Sequence, residues 1–246
     1  MRTGRVHAVW VRNGVLTYRY PGGIYTVRGM GTPAELESQT RDLFLWDYTP
    51  AEGDVVVDCG AGSGTEALVL ASVVGEVGQV VAIEAHPASF AKLELVRRLN
   101  RLRNVSPVHA AVTDTLGVVR ISDLPNDQAN SIVGVHGRSG VDVPAERLDH
   151  LLPKLGIERI DLLKMNIEGA ELRALQGLGE YIHRVRHIVV ACHDFAAARG
   201  EEMLSLEPVR AFLEGAGFEV RRRADERYWV AHYLYASRRG TAARPC

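Results

Sequence analysis

Side chains that bind ligands or move protons follow four apolar runs of this sequence. Asp58 and a glycine-rich loop come after the first run, and Glu84 ends the second. The segment Asn166-Ile167-Glu168 follows the third run, and the pair His193-Asp194 follows the fourth. Glycine lets a backbone pass close to a ligand, carboxylates bind hydroxyl groups or cations, and imidazole titrates near neutral pH. These residue types predict a ligand-binding site that contains a proton acceptor.

The glycine-rich loop joins a predicted buried strand to a predicted helix. Val55-Val56-Val57 is a β-branched run typical of a central strand, and Asp58 and three glycines at alternate positions follow it. Helix-compatible residues then run from Thr65 to Val74. A strand, a glycine turn and a helix in this order predict a nucleotide-like ligand, because a Cβ in the turn would obstruct it.

Glu84 is the candidate for binding a ribose. It ends the predicted strand Gln79–Ile83 and lies 26 residues after Asp58 (84 − 58), close to the separation of roughly 20 residues at which doubly wound nucleotide folds place an acid. A carboxylate there accepts hydrogen bonds from both vicinal hydroxyl groups. The alternative is that Glu84 caps the helix that Pro87 begins.

The remaining polar residues follow two further predicted strands, Ile160–Met165 and Ile188–Cys192. The carboxyl ends of parallel strands lie on one side of a sheet, so all four polar groups should converge. The late strands Phe218–Arg222 and Trp229–Ala236 are predicted to form an antiparallel hairpin at the sheet edge. The predicted fold class is α/β, with a Rossmann-like, mostly parallel sheet and a reversed C-terminal hairpin.

An N-terminal cap, residues 1–48, is predicted to precede a ligand-binding domain at residues 49–246. Asn13-Gly14 between apolar runs signals a β-hairpin, and Pro33 begins a helix. Two roles stay open for this cap. It either contacts the substrate, or it serves in packing or in forming a homodimer.

A further core strand is predicted at Val105 to Val112, and an irregular insertion is predicted between it and the strand Ile160–Met165. Short strands are expected at Val118–Ile121, Ser131–Val135 and Val141–Val143, and loops of this kind can define a substrate. His136 lies within it and is a second candidate for catalysis.

The composition of the chain argues against several classes of binding partner. With 246 residues, of which 46% are hydrophobic, the chain can bury a full core. The formal net charge of -1 gives no global electrostatic case for binding nucleic acid or an anionic membrane. No apolar run reaches membrane-spanning length and the N-terminus is a poor secretory signal, so no membrane insertion and a cytoplasmic location are expected. The 3 cysteines show no metal-like pairing.

Four segments together resemble the FkbM-type family of S-adenosylmethionine-dependent methyltransferases. They are Asp54 to Gly64, Ile83-Glu84 before Pro87, Leu148-Asp149, and the run from Ile160 to Glu171, which contains Lys-x-x-x-Glu-Gly-Ala-Glu. The resemblance covers roughly Asp54 to His193. It implies a seven-strand sheet and O-methylation of a hydroxyl on a sugar, glycan or glycosylated natural product, so the acceptor would be a small molecule or an oligosaccharide.

The sequence departs from the family at two positions. Asn166 stands where the family commonly has Asp, and Cys192 stands where it commonly has Glu before His193. Because Asn166 cannot act as a base, that role must be reassigned. The predicted donor-binding set is Asp58, Gly60, Gly62, Gly64, Glu84, Ala85, Ala111 and Asn166.

Two other functions remain open at this stage. Gly62-x-Gly64-x-x-Ala67 also satisfies a loose dinucleotide fingerprint, which would indicate an NAD(P)-dependent oxidoreductase. Asn166 is the best support for a non-catalytic module that binds S-adenosylmethionine without turnover.

Two mechanisms are predicted for removing the proton of the acceptor hydroxyl. In the first, His193 is the base, with His136 as the less favoured candidate. In the second, Asn166, Glu168 and Asp194 bind Mg²⁺, which lowers the pKa of the hydroxyl.

Overall fold

The computed structural model describes residues 8–12, 15–20, 23–26, 33–124, 130–133, 139–194 and 204–240. Its strands are β1 (Ala8–Arg12), β2 (Val15–Tyr20), β3 (Gly23–Thr26), β4 (Val55–Cys59), β5 (Gln79–Glu84), β6 (Val105–His109), β7 (Ala111–Val112), β8 (Gly117–Ser122), β9 (Gly140–Glu146), β10 (Ile160–Met165), β11 (Val185–Ala191), β12 (Phe218–Arg221) and β13 (Tyr233–Arg238). Its α-helices are α1 (Pro33–Phe44), α2 (Thr65–Val74), α3 (Pro87–Asn100), α4 (Leu148–Lys154), α5 (Glu171–Gln176) and α6 (Leu206–Gly215).

A seven-stranded sheet forms the centre, in the order β12-β13-β11-β10-β4-β5-β6. Neighbours from β11 to β6 pair in parallel, whereas β13 runs antiparallel to both β11 and β12. The predicted fold class is thereby confirmed, including the reversed C-terminal strand. The order places β4 and β10 side by side at the middle of the sheet, so the loops that follow them meet.

Hydrophobic layers cover both faces of the central strands. Val57 and Leu163 belong to the core on one face, and Val56 and Leu162 belong to the core on the other. A strand that is buried on both faces needs a continuous apolar run, and for this reason these strands could be predicted from the sequence. Among the described residues, no helix is both long and apolar enough to cross a membrane.

The N-terminal residues form a small antiparallel sheet, β1-β2-β3, that packs onto the helices of the core. Tyr25 is 1% exposed and clusters with Leu68 of α2 and Val96 of α3. The Asn100 side chain accepts a hydrogen bond from the Ile24 backbone N–H and donates one to its carbonyl, each at 2.7 Å. The cap is therefore anchored to α2 and α3; the predicted turn at residues 13–14 lies outside the described residues.

The insertion forms a separate sheet in the order β7-β9-β8. The predicted third strand, Val105 to Val112, is divided at Ala110, because β6 pairs with β5 whereas β7 pairs with β9. No strand is present at Ser131–Val133, and the rest of that predicted strand lies outside the described residues.

Candidate active site

A cavity of about 510 Å³ opens at the carboxyl ends of the central strands. Predicted site residues that line it are Gly60, Gly62, Glu84, Ala85, Ala111, Asn166, Glu168 and His193. Three others, Asp58, Gly64 and Asp194, do not line it. His136 lies outside the described residues. The convergence expected from a parallel sheet is therefore present for most of the set.

The three glycines of the loop between β4 and α2 have different reasons to be glycine. All have positive φ angles: +79° at Gly60, +53° at Gly62 and +90° at Gly64. A Cβ on Gly60 would lie 2.0 Å from the Asn166 carbonyl oxygen, and one on Gly64 would lie 3.0 Å from Leu93. A Cβ on Gly62 would meet nothing within 4 Å. Only Gly62 therefore leaves open space for a ligand, whereas the other two are constrained by internal packing.

Glu84 faces the cavity from the end of β5. Its Oε2 accepts a hydrogen bond from the Gly62 backbone N–H at 2.8 Å, and its Oε1 accepts one from the His86 N–H at 2.8 Å. Burial raises the pKa of Glu84, and the two N–H donors oppose that shift. Each carboxylate oxygen keeps a lone pair, so two vicinal hydroxyl groups can still be bound. The contact between Glu84 and a ribose stays a prediction, and the geometry of the carboxylate is compatible with it.

Asp58 does not face the cavity, which corrects its predicted place in the donor site. Asp58 and Lys164 are side by side on β4 and β10, both fully buried, with Nζ 2.8 Å from Oδ1. The same Nζ donates to the Gly60 carbonyl at 2.8 Å and lies 4.8 Å from the centroid of the Phe44 ring. Burial alone would lower the pKa of Lys164, but Asp58 and Glu66 raise it above its ordinary value. The charge of Asp58 is thus balanced inside the fold.

His193 lies between two carboxylates. Its Nε2 is 3.0 Å from Glu168 Oε1, its Nδ1 is 2.7 Å from Glu171 Oε1, and the residue is 3% exposed. Burial would lower the pKa of His193, but the two carboxylates raise it to about 9. Both nitrogens therefore carry protons at neutral pH. An imidazolium cannot accept a further proton, so these contacts favour a positioning role for His193, and its predicted role as the base stays a prediction.

Glu168 is held at the cavity wall by a strained turn. Its φ of +52° lies in the left-handed region, which persists in a non-glycine residue only when surrounding contacts hold it. Ser131 Oγ donates to the Glu168 carbonyl, and Glu171 Oε1 accepts from the Gly169 N–H at 3.0 Å. Contacts from the insertion and from α5 therefore fix a carboxylate that the sequence suggested only as a metal ligand.

The predicted Mg²⁺ site is not assembled. Asp194 Oδ2 accepts hydrogen bonds from the backbone N–H groups of Ser205 and Leu206, at 2.8 and 2.9 Å, where α6 begins. Within the described ranges, no group of three or more His, Cys, Asp or Glu side chains is arranged to hold a metal ion. Asn166 and Glu168 reach the cavity, but Asp194 caps a helix instead of joining them.

Three aromatic rings together line the cavity and form what we call the aromatic wall. Phe44 ends α1, Tyr233 begins β13 and Trp229 lies just before it, and all three line the cavity. The ring centroids of Phe44 and Tyr233 are 5.7 Å apart, and those of Trp229 and Tyr233 are 6.1 Å apart. Sequence reasoning missed this aromatic wall, because its members come from opposite ends of the chain.

Polar contacts fix α1 against the C-terminal hairpin. Asp42 pairs with Arg223 and Arg227, each at 2.8 Å, and the Tyr235 hydroxyl donates to the Leu43 carbonyl at 2.9 Å. The cap helix therefore packs on the core and also lines the cavity, so both of its predicted roles stay open.

Glu66 is a further cavity residue that sequence reasoning missed. It lies in the first turn of α2, directly after the glycine loop. This position in the sequence could have identified it as a cavity residue. Burial raises the pKa of Glu66. The side chain forms no ion pair with any residue that the structure describes.

Comparison with known proteins places the chain in a family. The profile described as the methyltransferase FkbM domain matches residues 58–220, more than half of the chain. Methyltransferase sdnD from Sordaria araneosa is 27% identical over 208 residues, which cover 71% of this chain and 76% of that protein. The 31-O-demethyl-FK506 methyltransferase FkbM from Streptomyces tacrolimicus is 29% identical over 206 residues, which cover 68% of this chain and 74% of that protein.

The fold of this chain is similar to that of a solved methyltransferase structure. The crystal structure of methyltransferase FkbM from Methylobacillus flagellatus KT is 17% identical, has a TM-score of 0.57 and is matched over 83% of this chain. This chain spans 50% of the length of that one. Because the family profile covers the glycine loop, the Lys164-to-Glu171 run and His193, the chain belongs to the FkbM family of S-adenosylmethionine-dependent methyltransferases.

Proposed function

We propose that this enzyme transfers the methyl group to a hydroxyl of a sugar, a glycan or a glycosylated natural product. The observation that carries the proposal is Glu168, a carboxylate fixed by His193 in the wall of the cavity that Glu84 also lines. The name of the Streptomyces relative, 31-O-demethyl-FK506 methyltransferase, describes transfer to an oxygen, which supports the same chemistry.

The donor half of the cavity fits S-adenosylmethionine, which supplies an electrophilic methyl group when bound. Glu84 presents a buried carboxylate to ribose hydroxyls, and the open space at Gly62 admits a ligand beside the backbone. Ala85 and Ala111 offer small side chains on the same wall. These residues bind and orient the donor and take no part in proton transfer.

The acceptor half removes a proton. Glu168 accepts the proton of the acceptor hydroxyl as the oxygen attacks, and general-base assistance of this kind contributes about 10²–10⁴ in rate. His193 keeps both of its protons, holds Glu168 Oε1 in place and is itself oriented by Glu171. The aromatic wall excludes water and offers ring faces to the C–H surface of a sugar.

Methyl transfer to oxygen is tested directly with labelled donor. Purified enzyme, S-adenosylmethionine carrying a labelled methyl group and a panel of hydroxylated glycosides should give O-methyl products by mass spectrometry. Methylation at nitrogen or carbon, or binding of the donor without turnover on any acceptor, would contradict the proposal.

The donor assignment is tested by replacing Glu84. The Glu84→Ala variant should bind S-adenosylmethionine more weakly by about 1.5–3 kcal/mol in calorimetry, the range for hydrogen bonds to a charged group. The exposed Glu76, in the turn that follows α2, gives a matched control, and Glu76→Ala should leave donor affinity unchanged. Unchanged affinity in Glu84→Ala would remove the ribose assignment.

A further inference from the structure

The turn that carries Glu168 has a conformation that a glutamate disfavours. The Ala170 N–H donates to the Ile167 carbonyl at 3.4 Å, so residues 167–170 close a four-residue turn. Its two central residues, Glu168 and Gly169, have φ angles of +52° and +98°. Positive φ at both central positions is typical of a type I′ turn, in which glycine, asparagine and aspartate dominate. A glutamate at the first of these positions therefore needs contacts from outside the turn to hold it there.

One peptide group of the turn receives such contacts at both of its ends. The Glu168 carbonyl and the Gly169 N–H belong to the same planar group. The carbonyl oxygen accepts a hydrogen bond from Ser131 Oγ, and the N–H donates to Glu171 Oε1 at 3.0 Å. The same Glu171 oxygen lies 2.7 Å from His193 Nδ1. The peptide group is thus bound to the insertion on one side and to the carboxylate that orients His193 on the other.

The direction of the Ser131 hydrogen bond is set by a second partner. The Val133 backbone N–H donates to Ser131 Oγ at 2.9 Å. Because a backbone N–H only donates and a carbonyl only accepts, the hydroxyl proton of Ser131 goes to the Glu168 carbonyl. The hydroxyl is therefore committed to the backbone of the turn.

The insertion sheet holds Ser131 in turn. The Ser131 N–H donates to Ser122 Oγ, and the Ser131 carbonyl accepts from the Ser122 N–H, each at 3.0 Å. Ser122 ends β8, the edge strand of that sheet. Ser131 is 8% exposed, and Asn130 and Ile132 on either side of it also line the cavity. A segment of the cavity wall is therefore connected, through one hydroxyl, to the turn that presents Glu168.

We infer that Ser131 is a positioning residue for methyl transfer, because it holds the peptide group between Glu168 and Gly169 in the orientation that keeps the Glu168 carboxylate against His193. This inference rests on the proposed function, in which Glu168 takes the proton. Without the hydroxyl, one end of the peptide group is released, and the turn relaxes towards negative φ at Glu168. The carboxylate then moves away from His193 and from the position in which it meets the acceptor.

Steady-state kinetics and calorimetry of Ser131→Ala test this role. The value of kcat should fall about 10–100-fold, because a misplacement of about 1 Å can cost on the order of 10² in rate. The acceptor KM and the donor affinity should stay at their wild-type values, since the hydroxyl contacts neither ligand. Ser131→Thr keeps a hydroxyl and should recover most of the loss. The exposed Ser139 of the same insertion gives a matched control, and Ser139→Ala should keep the wild-type kinetics.

An NMR titration of the His193 ring tests the same role without turnover. Glu168 and Glu171 raise the pKa of His193 to about 9 in the wild type. An opposite charge within about 4–6 Å shifts a pKa by about 1–3. The titration midpoint should therefore fall by about one pH unit in Ser131→Ala, where Glu168 is no longer held against the ring. Ser131→Thr and Ser139→Ala should keep the wild-type midpoint.

Two results would overturn the inference. One is a Ser131→Ala variant with the wild-type kcat, and the other is a Ser131→Ala variant with the wild-type His193 midpoint. Because the titration needs no acceptor, a failure of O-methylation in the labelled-donor assay would count against the proposed function alone.

Discussion

Two carboxylate–cation clusters lie near the carboxyl ends of the central strands, and the run from Lys164 to Glu171 supplies residues to both. Lys164 and Asp58 have side chains that are 0% exposed, whereas Glu168, bound to His193, is 16% exposed and faces the cavity. The first cluster is sealed between neighbouring strands and the second is open to a ligand. Similar charge chemistry therefore supports the fold in one place and is available for catalysis in the other, and burial makes the difference.

Breaking the sealed cluster should have the largest effect. Lys164→Met leaves Asp58 buried without a counter-charge, and removing one partner of a buried pair costs about 3–5 kcal/mol of the free energy of unfolding. Urea denaturation measures this loss. The matched double variant, Lys164→Met with Asp58→Asn, removes both charges and should recover most of it. A single variant as stable as the wild type would mean that the pair does not support the fold.

Breaking the open cluster should leave the fold intact and stop the chemistry. Glu168→Gln keeps the size and the strained backbone of this residue but removes the proton acceptor, so kcat should fall about 10²–10⁴-fold. The free energy of unfolding should change by no more than about 1–2 kcal/mol, and donor affinity should stay the same. The measurements are single-turnover kinetics, denaturation and calorimetry.

A positioning role for His193 is checked in the same assays. His193→Gln should lower kcat less than Glu168→Gln does, because the carboxylate is still present. Should Glu168→Gln turn over normally while His193→Gln is inactive, the roles of the two residues would be reversed.

The smallest expected effect is a dependence of stability on pH that arises from the open cluster. The pKa of His193 is raised to about 9 in the folded protein, above its ordinary value of 6.5. Protonated His193 therefore stabilises the fold fully below about pH 6.5, and this contribution is lost as the pH rises through about 9. It amounts to at most about 3 kcal/mol.

Denaturation from pH 6 to 10 measures this dependence. His193→Gln should lack the decline that the wild type shows above neutral pH. The two profiles would run in parallel if His193 were neutral in the folded enzyme.

The pattern of apolar residues was enough to predict the fold. The direction in which a single side chain points could not be predicted from it. The strand Ile160–Met165 was predicted with the bounds that the structure has, because a doubly buried strand must be apolar throughout. Asp58 also ends an apolar run, but its side chain turns towards Lys164 on the next strand. Which neighbour a side chain meets depends on strand order and register, and local spacing does not contain that information.

The same limit applies to the candidate site. Glu168, Glu171 and His193 were all visible as polar residues after core strands, yet their mutual contacts depend on the left-handed turn at Glu168. Asp194 was expected beside Glu168 because the two follow neighbouring strands. It caps α6 instead, since the first N–H groups of a helix need an acceptor.

The hydrogen bond between the Tyr235 hydroxyl and the Leu43 carbonyl joins residues 192 positions apart. A ribosome adds roughly 5–20 residues per second, so α1 leaves it roughly 10–40 seconds before its partner strand has been made. The aromatic wall therefore forms only after α1, the glycine loop and Glu168 have all been synthesised. A nascent chain that already carries the glycine loop and Glu168 still lacks two of the three rings that line the cavity, Trp229 and Tyr233.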